Sequence, residues 1–196
     1  MNEVNEDVRA RASKIRLLLM DVDGVLTDGR LYFIPDGAGG MVEFKAFDSQ
    51  DGIGLQWCQW KGIRTGVISG RNSPATIERA RQAKMNYVYQ GHTEKIPIIN
   101  EILADAKVGI DEVAYIGDDL TDVVVFHRVG FAVATANARL EVKNEAHYVT
   151  AQPGGSGAVR EAIEVIMRAQ GFWEQILQHY EVGAGTADAL AVRQTG

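Results

Sequence analysis

Short strand-like runs alternate along this chain with longer helix-like segments, and this alternation restricts the possible folds more than any other feature. The first run, IRLLLM at residues 15–20, is apolar apart from Arg16, as expected of a strand buried on both faces of a sheet. Similar runs recur as IRTGVISG, NYVYQG, VAYIGDD and FAVATA, with helix-like segments between them. This order predicts a doubly wound α/β fold with a mostly parallel sheet.

Two further segments complete the predicted organisation. RLYFIPDGAGGMVEFKAFD holds two β-rich runs around the turn sequence PDGAGG, which predicts a β-hairpin over residues 30–47. GGSGAVREAIEVIMRAQGFWEQILQHY predicts a long terminal helix with a possible break at Gly171. The last stretch, EVGAGTADALAVRQTG, has no apolar period and is expected to be a mobile tail at residues 181–196. We therefore expect one domain over residues 14–180, preceded by an N-terminal extension at residues 1–13.

The composition excludes several classes of protein. The chain has 196 residues, 46% apolar and 23% charged, which is enough for one globular domain with a substantial core. A net charge of −6 argues against a nucleic-acid partner or an anionic membrane surface. Cys58 is the single cysteine, so an internal disulfide is impossible, and the first apolar run is too short for a signal peptide or membrane span. A cytoplasmic protein is expected.

Polar residues occur where the predicted strands end. They are Asp21 and Asp23 after the first strand, Ser69, Gly70 and Arg71 after IRTGVI, Lys95 at a helix start, and Asp118, Asp119 and Asp122 after VAYIG. Because ligands of doubly wound sheets bind beyond the carboxyl ends of the strands, we expect these side chains to share one site. Hard carboxylate oxygens next to a hydroxyl and two cations favour Mg²⁺ together with a phosphate group.

Each motif also has a simpler interpretation when it is taken alone. DVDG fits an Asp-rich turn, ISGR fits a helix N-cap, and Lys95 fits a solvated surface lysine. A cation in the first turn of a helix is unfavourable with the helix dipole, however, so Lys95 is expected to have a negative partner. The presence of GDDLTD as well as DVDG favours a shared divalent cation over two unrelated turns.

In their order along the chain, DVDGV, ISGR, Lys95 and GDDLTD resemble the four motifs of the haloacid dehalogenase (HAD) superfamily of phosphatases. A closer resemblance is to the 3-deoxy-D-manno-octulosonate 8-phosphate (KDO 8-phosphate) phosphatases, carried by DVDGVLTDG, KAF…DG, YQG…K, VAYIGDDLTD and GGSGAVRE. It extends from about residue 15 to residue 171. The resemblance implies a HAD-like fold with a hairpin flap and no cap domain.

The resemblance also implies a role for each catalytic residue. Asp21 corresponds to the nucleophile that forms an aspartyl-phosphate. Asp23 corresponds to the general acid that protonates the leaving oxygen and then activates water. Ser69 and Lys95 correspond to residues that hold the phosphate oxygens and offset charge during phosphoryl transfer.

A Mg²⁺ site is implied in the same way. Asp118 matches the metal-binding carboxylate, with the side chain of Asp21 and the backbone carbonyl of Asp23 as further ligands. Asp119 and Asp122 match supporting residues that orient Asp118 and Lys95.

Substrate binding is the part of the resemblance where this chain departs from the family. The residues that the resemblance assigns to the substrate are Asp51, Gly52, Gly70, Arg71 and Arg79. Gln50 and Gln56 stand where the family leads us to expect arginines. Since arginine binds the carboxylate of a sugar acid bidentately and glutamine carries no charge, the departure concerns the sugar rather than the phosphatase chemistry.

The expected function is Mg²⁺-dependent hydrolysis of a small phosphorylated sugar acid, with KDO 8-phosphate as the named candidate. One alternative is the same reaction on another sugar-acid phosphate, such as a nonulosonate 9-phosphate, which the two glutamines favour. Another is a non-catalytic accessory subunit of a carboxylase-type complex. The resemblance further implies a homotetramer in which the hairpin and the C-terminal segment of one subunit help to close a neighbour's site.

Overall fold

The sheet of this protein is doubly wound, as the alternation predicts. In the computed structural model, which describes residues 4–183, the strands are β1 (Leu17–Met20), β2 (Tyr32–Pro35), β3 (Met41–Phe44), β4 (Arg64–Ser69), β5 (Tyr87–Gln90), β6 (Val113–Gly117), β7 (Phe131–Ala134) and β8 (Tyr148–Val149). Six of these form one parallel sheet in the order β5-β4-β1-β6-β7-β8. The strand order reverses beside β1, so β4 and β6 lie on either side of it.

Helices cover both faces of this sheet. They are α1 (Glu6–Ala12), α2 (Ser49–Trp60), α3 (Pro74–Gln82), α4 (Lys95–Ala106), α5 (Leu120–Phe126), α6 (Leu140–Asn144), α7 (Ala158–Ala169) and α8 (Trp173–His179). Leu18 and Met20 pack into the core formed with α1, α2 and α7, whereas Leu17 and Leu19 pack into the core formed with α4, α5 and α6. Alternate side chains of a strand point to opposite faces, which explains why β1 is apolar throughout.

The hairpin predicted for residues 30–47 is confirmed, and it is separate from the main sheet. β2 and β3 pair with each other as an antiparallel two-stranded sheet. Asp36 closes the turn by accepting hydrogen bonds from the backbone N–H groups of Ala38 and Gly40, each at 2.8 Å. Gly37 and Gly39 have φ angles of 79° and 94°, a backbone region that favours glycine.

The two ends of the described chain add detail to the sequence prediction. The segment assigned to an N-terminal extension contains α1, which buries Val8 and Ala12 against the main core. The predicted terminal helix is divided at Gly171, whose φ of 72° ends α7 and turns the chain into α8. The tail predicted for residues 181–196 lies, from residue 184 onward, outside the described residues.

The return of α8 towards α2 depends on aromatic residues that the sequence pattern does not single out. Trp57 of α2 packs edge-on against Trp173, and its indole N–H donates to the Tyr180 hydroxyl at 3.2 Å. Cys58, on the same helix, is fully buried, as expected of a packed thiol, and burial raises its pKa to about 12. Among residues 4–183, no helix is both long and apolar enough to cross a membrane.

Candidate active site

The carboxyl ends of three adjacent strands bring the predicted site residues together. Asp21 follows β1, Ser69 ends β4 and Asp118 follows β6. A cleft of about 370 Å³ opens at this edge of the sheet. Its lining residues are Asp21, Asp23, Gly29, Ser69, Gly70, Arg71, Thr93, Lys95, Asp118, Asp119 and Thr121. The sequence singled out eight of these eleven from strand ends and motifs, whereas Gly29, Thr93 and Thr121 were not identified.

Lys95 has the negative partners that its position in the first turn of α4 requires. The Lys95 ammonium donates to Asp21 Oδ2 at 2.8 Å and to Asp122 Oδ1 at 2.6 Å. A third donated bond, of 2.8 Å, goes to the hydroxyl of Tyr115. Burial alone would lower the pKa of Lys95, but the two carboxylates raise it above its usual value. The ammonium therefore stays charged while only 2% of the residue is exposed.

Asp122 uses both carboxylate oxygens to position its neighbours. Its Oδ1 accepts from Lys95 and from the Tyr115 hydroxyl, and its Oδ2 accepts from the backbone N–H groups of Asp118 and Asp119 at 3.0 and 3.2 Å. A Cβ at Gly117 would lie 2.5 Å from the Asp122 side chain, so the glycine before the GDD motif makes room for this carboxylate. Through these contacts Asp122 can orient Lys95 and the backbone of Asp118 and Asp119.

Three carboxylates of the site lie close enough to share a cation. Asp21, Asp118 and Asp122 each present an oxygen within 4.8 Å of the others. Each oxygen of Asp122 accepts from two donors, whereas each oxygen of Asp21 accepts from one. Asp21 and Asp118 also line the cleft, which makes them the better candidate ligands. Carboxylate ligands of this kind, beside an open cleft that leaves room for water and phosphate, fit Mg²⁺.

Electrostatics support the same assignment. Burial, with Asp122 and Asp21 as further causes, raises the pKa of Asp118 to about 7. Burial also raises the pKa of Asp21, against the lowering effect of Lys95. A divalent cation would relieve this repulsion. The motif glycine, Gly24, leaves space for the arrangement, because a Cβ there would lie 1.9 Å from Asp118 Oδ2.

Asp23 faces a second group of charges, which includes two hairpin residues. Lys45 Nζ pairs with Asp23 Oδ1, and Arg71 Nε lies 3.8 Å from Asp23 Oδ2. Glu43 pairs with Arg71 and lies 3.4 Å from Lys45. Sequence reasoning missed Glu43 and Lys45. Their spacing of two on a predicted strand, which places both side chains on one face, is the signal that could have identified them.

Ser69 and Gly70 form the side of the cleft next to Arg71. The Ser69 hydroxyl is almost fully buried and accepts the backbone N–H of Arg71 at 3.1 Å. Gly70 faces Thr93, whose Cγ2 would lie 3.3 Å from a Cβ at this position. A small hydroxyl and a glycine at a strand end leave this corner open to an anion.

The structure does not bring the other predicted substrate residues to the cleft of this chain. Asp51 is buried at the start of α2, where its Oδ1 accepts the backbone N–H of Arg160 at 2.8 Å and burial raises its pKa to about 7. Arg79 donates to the Asp48 carbonyl at 2.7 Å and lies against Gly52. A role in substrate binding for Asp51, Gly52 and Arg79 stays a prediction.

Comparisons with known proteins agree with the family resemblance of the sequence motifs. A family model of haloacid dehalogenase-like hydrolases matches residues 68–163. The curated 3-deoxy-D-manno-octulosonate 8-phosphate phosphatase KdsC of Yersinia pestis is 41% identical over 167 residues, which cover 85% of this chain and 87% of that protein.

Two solved structures of such phosphatases also superimpose on this fold. One, from Yersinia pestis, has a TM-score of 0.82 and 41% identity over 86% of this chain and 89% of that chain. The other, from Moraxella catarrhalis in complex with a magnesium ion, a phosphate ion and KDO, has a TM-score of 0.84 and 33% identity over 89% of this chain and 98% of that chain. The chain belongs to the 3-deoxy-D-manno-octulosonate 8-phosphate phosphatase family of the HAD-like hydrolases.

Proposed function

We propose that this protein is a Mg²⁺-dependent phosphomonoesterase that hydrolyses KDO 8-phosphate to KDO and inorganic phosphate. The observation that carries the proposal is the Lys95 ammonium, buried between Asp21 and Asp122 at one wall of the cleft. A nucleophilic carboxylate that approaches an anionic phosphate needs a fixed positive charge nearby, and Lys95 supplies it within 2.8 Å of Asp21.

Asp21 and Asp23 divide the covalent chemistry between them. An oxygen of Asp21 attacks phosphorus, and the bond from phosphorus to the sugar oxygen breaks as that oxygen takes the proton of the Asp23 carboxyl. Water then attacks the phosphorus of the Asp21 aspartyl-phosphate and gives a proton to the Asp23 carboxylate. Inorganic phosphate leaves, and Asp21 and Asp23 return to their starting states.

Ser69, Lys95 and the metal serve the phosphate group. The Ser69 hydroxyl and the Lys95 ammonium lie at the cleft wall, where they can bind phosphate oxygens and offset the charge that builds during transfer. Asp21, Asp118 and the backbone carbonyl of Asp23 would hold Mg²⁺, with Asp119 and Asp122 in support. When bound, the cation reduces the repulsion between the nucleophilic carboxylate and the anionic substrate.

The sugar assignment draws on the relatives and on Arg71. The curated relative from Yersinia pestis is named for KDO 8-phosphate, and the Moraxella catarrhalis structure contains KDO with magnesium and phosphate. Arg71 lines the cleft as a partly exposed cation suited to the carboxylate of a sugar acid. Gln50 and Gln56, which stand where the family leads us to expect arginines, do not line this cleft. The sequence difference that favours a nonulosonate 9-phosphate therefore lies outside it.

We further propose a homo-oligomer, a tetramer by family resemblance, assembled through the hairpin. β2 and β3 pair Tyr32 with Phe44 and Ile34 with Val42, which places four apolar side chains on one face of the hairpin. Ile34, Val42 and Phe44 are 43–48% exposed, as expected of a surface that a partner covers. We also propose a single domain over residues 14–180, against whose core α1 of the N-terminal extension packs, and a cytoplasmic location, suggested by the lone buried cysteine.

Phosphate release tests the proposal. The purified protein with Mg²⁺ is assayed against KDO 8-phosphate, a nonulosonate 9-phosphate, neutral sugar phosphates and an aryl phosphate, with EDTA as the control. We expect kcat/KM to be far higher for KDO 8-phosphate than for the rest, and EDTA to abolish the activity. Preference for the nonulosonate would replace the substrate but keep the chemistry. No release from any compound by folded, metal-loaded protein would favour the accessory-subunit alternative.

A further inference from the structure

A ring of four alternating charges links the hairpin to Asp23. Lys45 pairs with Asp23 and lies 3.4 Å from Glu43, while Arg71 pairs with Glu43 and lies 3.8 Å from Asp23. Two of the four groups are cations and two are carboxylates, so each charge has an opposite charge on either side. Asp23 and Arg71 belong to the cleft, whereas Glu43 and Lys45 belong to the hairpin.

Within this ring, Lys45 and Arg71 lie in different environments. Only 3% of the Lys45 side chain is exposed, compared with 44% for Arg71. A lysine ammonium is seldom buried to this extent without a specific carboxylate partner, because removing it from water is costly. Lys45 has no part in the chemistry assigned to Asp21, Ser69, Lys95 or the metal, so its burial against Asp23 needs a separate explanation.

We propose that Lys45 is a positioning residue for Asp23, an inference that depends on the proposed phosphatase function. When the Asp23 carboxyl gives its proton to the leaving oxygen, it takes the ionised form that the ring pairs with Lys45, in a site that already holds Asp21 and Asp118. The Lys45 ammonium offsets this new charge and fixes the orientation of the carboxylate, both in that step and when the carboxylate receives a proton from water. Glu43 also lies beside the Lys45 ammonium and helps to fix its position. The hairpin thus contributes to proton transfer by Asp23.

Leaving-group dependence separates this role from a general effect on binding. Phenyl phosphate and p-nitrophenyl phosphate have similar size, but p-nitrophenolate departs without a proton whereas phenolate benefits from one. kcat/KM covers the steps up to P–O cleavage, the step in which Asp23 acts as an acid. We expect Lys45→Met to lower kcat/KM for phenyl phosphate by about 10- to 100-fold and for p-nitrophenyl phosphate by less than about threefold.

Three companion variants sharpen the test. Lys45→Arg keeps the charge and should restore most of the activity on phenyl phosphate. Arg30→Met removes another hairpin cation, one that lies 4.0 Å from Asp28, and should leave both substrates unaffected. In an Asp23→Asn background, Lys45→Met should cause little further loss, because a positioning residue has no effect without the group that it positions.

The outcomes distinguish this inference from the proposed function. Equal losses of kcat/KM on both substrates, or no loss on either, in a folded variant with the native assembly would overturn the role of Lys45. If Lys45→Met does not fold, the Glu43→Gln/Lys45→Gln double variant removes one charge of each sign and is assayed instead. If the wild-type protein hydrolyses no phosphate ester, the phosphatase proposal itself fails, and the role of Lys45 fails with it.

Discussion

Two regions of the molecule place side chains at the active site in different ways. One is the buried charge cluster of Asp21, Lys95, Asp118 and Asp122, and the other is the hairpin at residues 30–47. The cluster sits on strand ends and helix starts of a fully packed sheet, so the core fixes its geometry. The hairpin is a two-stranded sheet whose apolar side chains are largely exposed and whose Lys45 and Glu43 reach the cleft through ion pairs. Isolated two-stranded sheets are only marginally stable in water. The core thus fixes the geometry of the cluster, whereas ion pairs hold the hairpin against the cleft.

The largest expected effect comes from replacing Asp21, the proposed nucleophile of the cluster. Asp21→Asn keeps the shape of the side chain and its contact with Val22, but it cannot form an aspartyl-phosphate. We expect kcat on the preferred substrate to fall by about 10⁴-fold or more, with Mg²⁺ present and the fold intact by circular dichroism. An Asp28→Asn variant, altered on the exposed side of the same loop, serves as the matched control. Turnover of Asp21→Asn near the wild-type value would refute the assignment of the nucleophile.

The next effect tests whether Lys95 holds the cluster together. Lys95→Met leaves Asp21 and Asp122 without their shared cation, and Asp122 is fully buried. Breaking a buried ion pair by removing one partner costs about 3–5 kcal/mol, which lowers Tm by roughly 10 °C in a domain of this size. Lys143→Met, at a more accessible lysine on α6, should change Tm by only about 1 °C. Differential scanning calorimetry measures both, and equal Tm values would show that Lys95 is not a structural counter-charge.

Metal removal gives a smaller effect that depends on pH. The folded-state pKa of Asp118 is about 7 and that of Asp21 is also raised, both mainly by burial, so the folded protein holds protons that the unfolded chain releases near pH 4. Metal-free protein should therefore lose stability as pH rises from about 4 to 7, because ionisation is penalised only in the fold. Mg²⁺ binds the ionised carboxylates and should stabilise by up to about 3 kcal/mol at pH 8 and much less at pH 5.5.

Thermal unfolding at the two pH values, with Mg²⁺ or EDTA, measures this difference. Asp118→Asn should raise the Tm of the metal-free protein at pH 8 and remove most of the Mg²⁺-induced shift. An equal Mg²⁺-induced shift at pH 5.5 and pH 8 would contradict the assignment of these carboxylates as the ligands.

The contrast between the core-fixed cluster and the hairpin also explains which features the sequence could predict. The parallel sheet, the hairpin and the grouping of Asp21, Ser69, Lys95 and Asp118 follow from short-range patterns, because strand ends of a parallel sheet converge whatever the details of packing. Lys45 begins the KAF segment but was given no role, because the spacing of Glu43 and Lys45 shows only that they share a face and not which carboxylate Lys45 meets across the fold.

The two terminal helices, α1 and α8, depend on long-range contacts for a related reason. Helix α1 is short and rich in charge, and only the contacts of Val8 and Ala12 with the main core reveal why it forms. The turn at Gly171 could be suspected from the sequence, but the direction of α8 depends on Trp57, Trp173 and Tyr180, which are distant in sequence. Long-range packing of this kind overrides local helix propensity.

The smallest change to the protomer is expected on the apolar face of the hairpin. Val42→Glu places a charge beside Ile34, its cross-strand partner. We expect this variant to break the proposed oligomer into smaller species, which light scattering measures. Val124→Glu, on α5, is a matched control, because Val124 is 47% exposed and Val42 is 48% exposed.

Val42→Glu should have little effect on the protomer itself, because a solvent-exposed substitution changes the free energy of unfolding by only about 0.5 kcal/mol. Because the ion pairs of Lys45 and Glu43 lie within one chain, kcat/KM on p-nitrophenyl phosphate should fall less than about tenfold. An unchanged mass for Val42→Glu would exclude this face as the interface, and a loss of activity as large as that of Asp21→Asn would show that the partner, rather than the charge ring, holds the hairpin over the site.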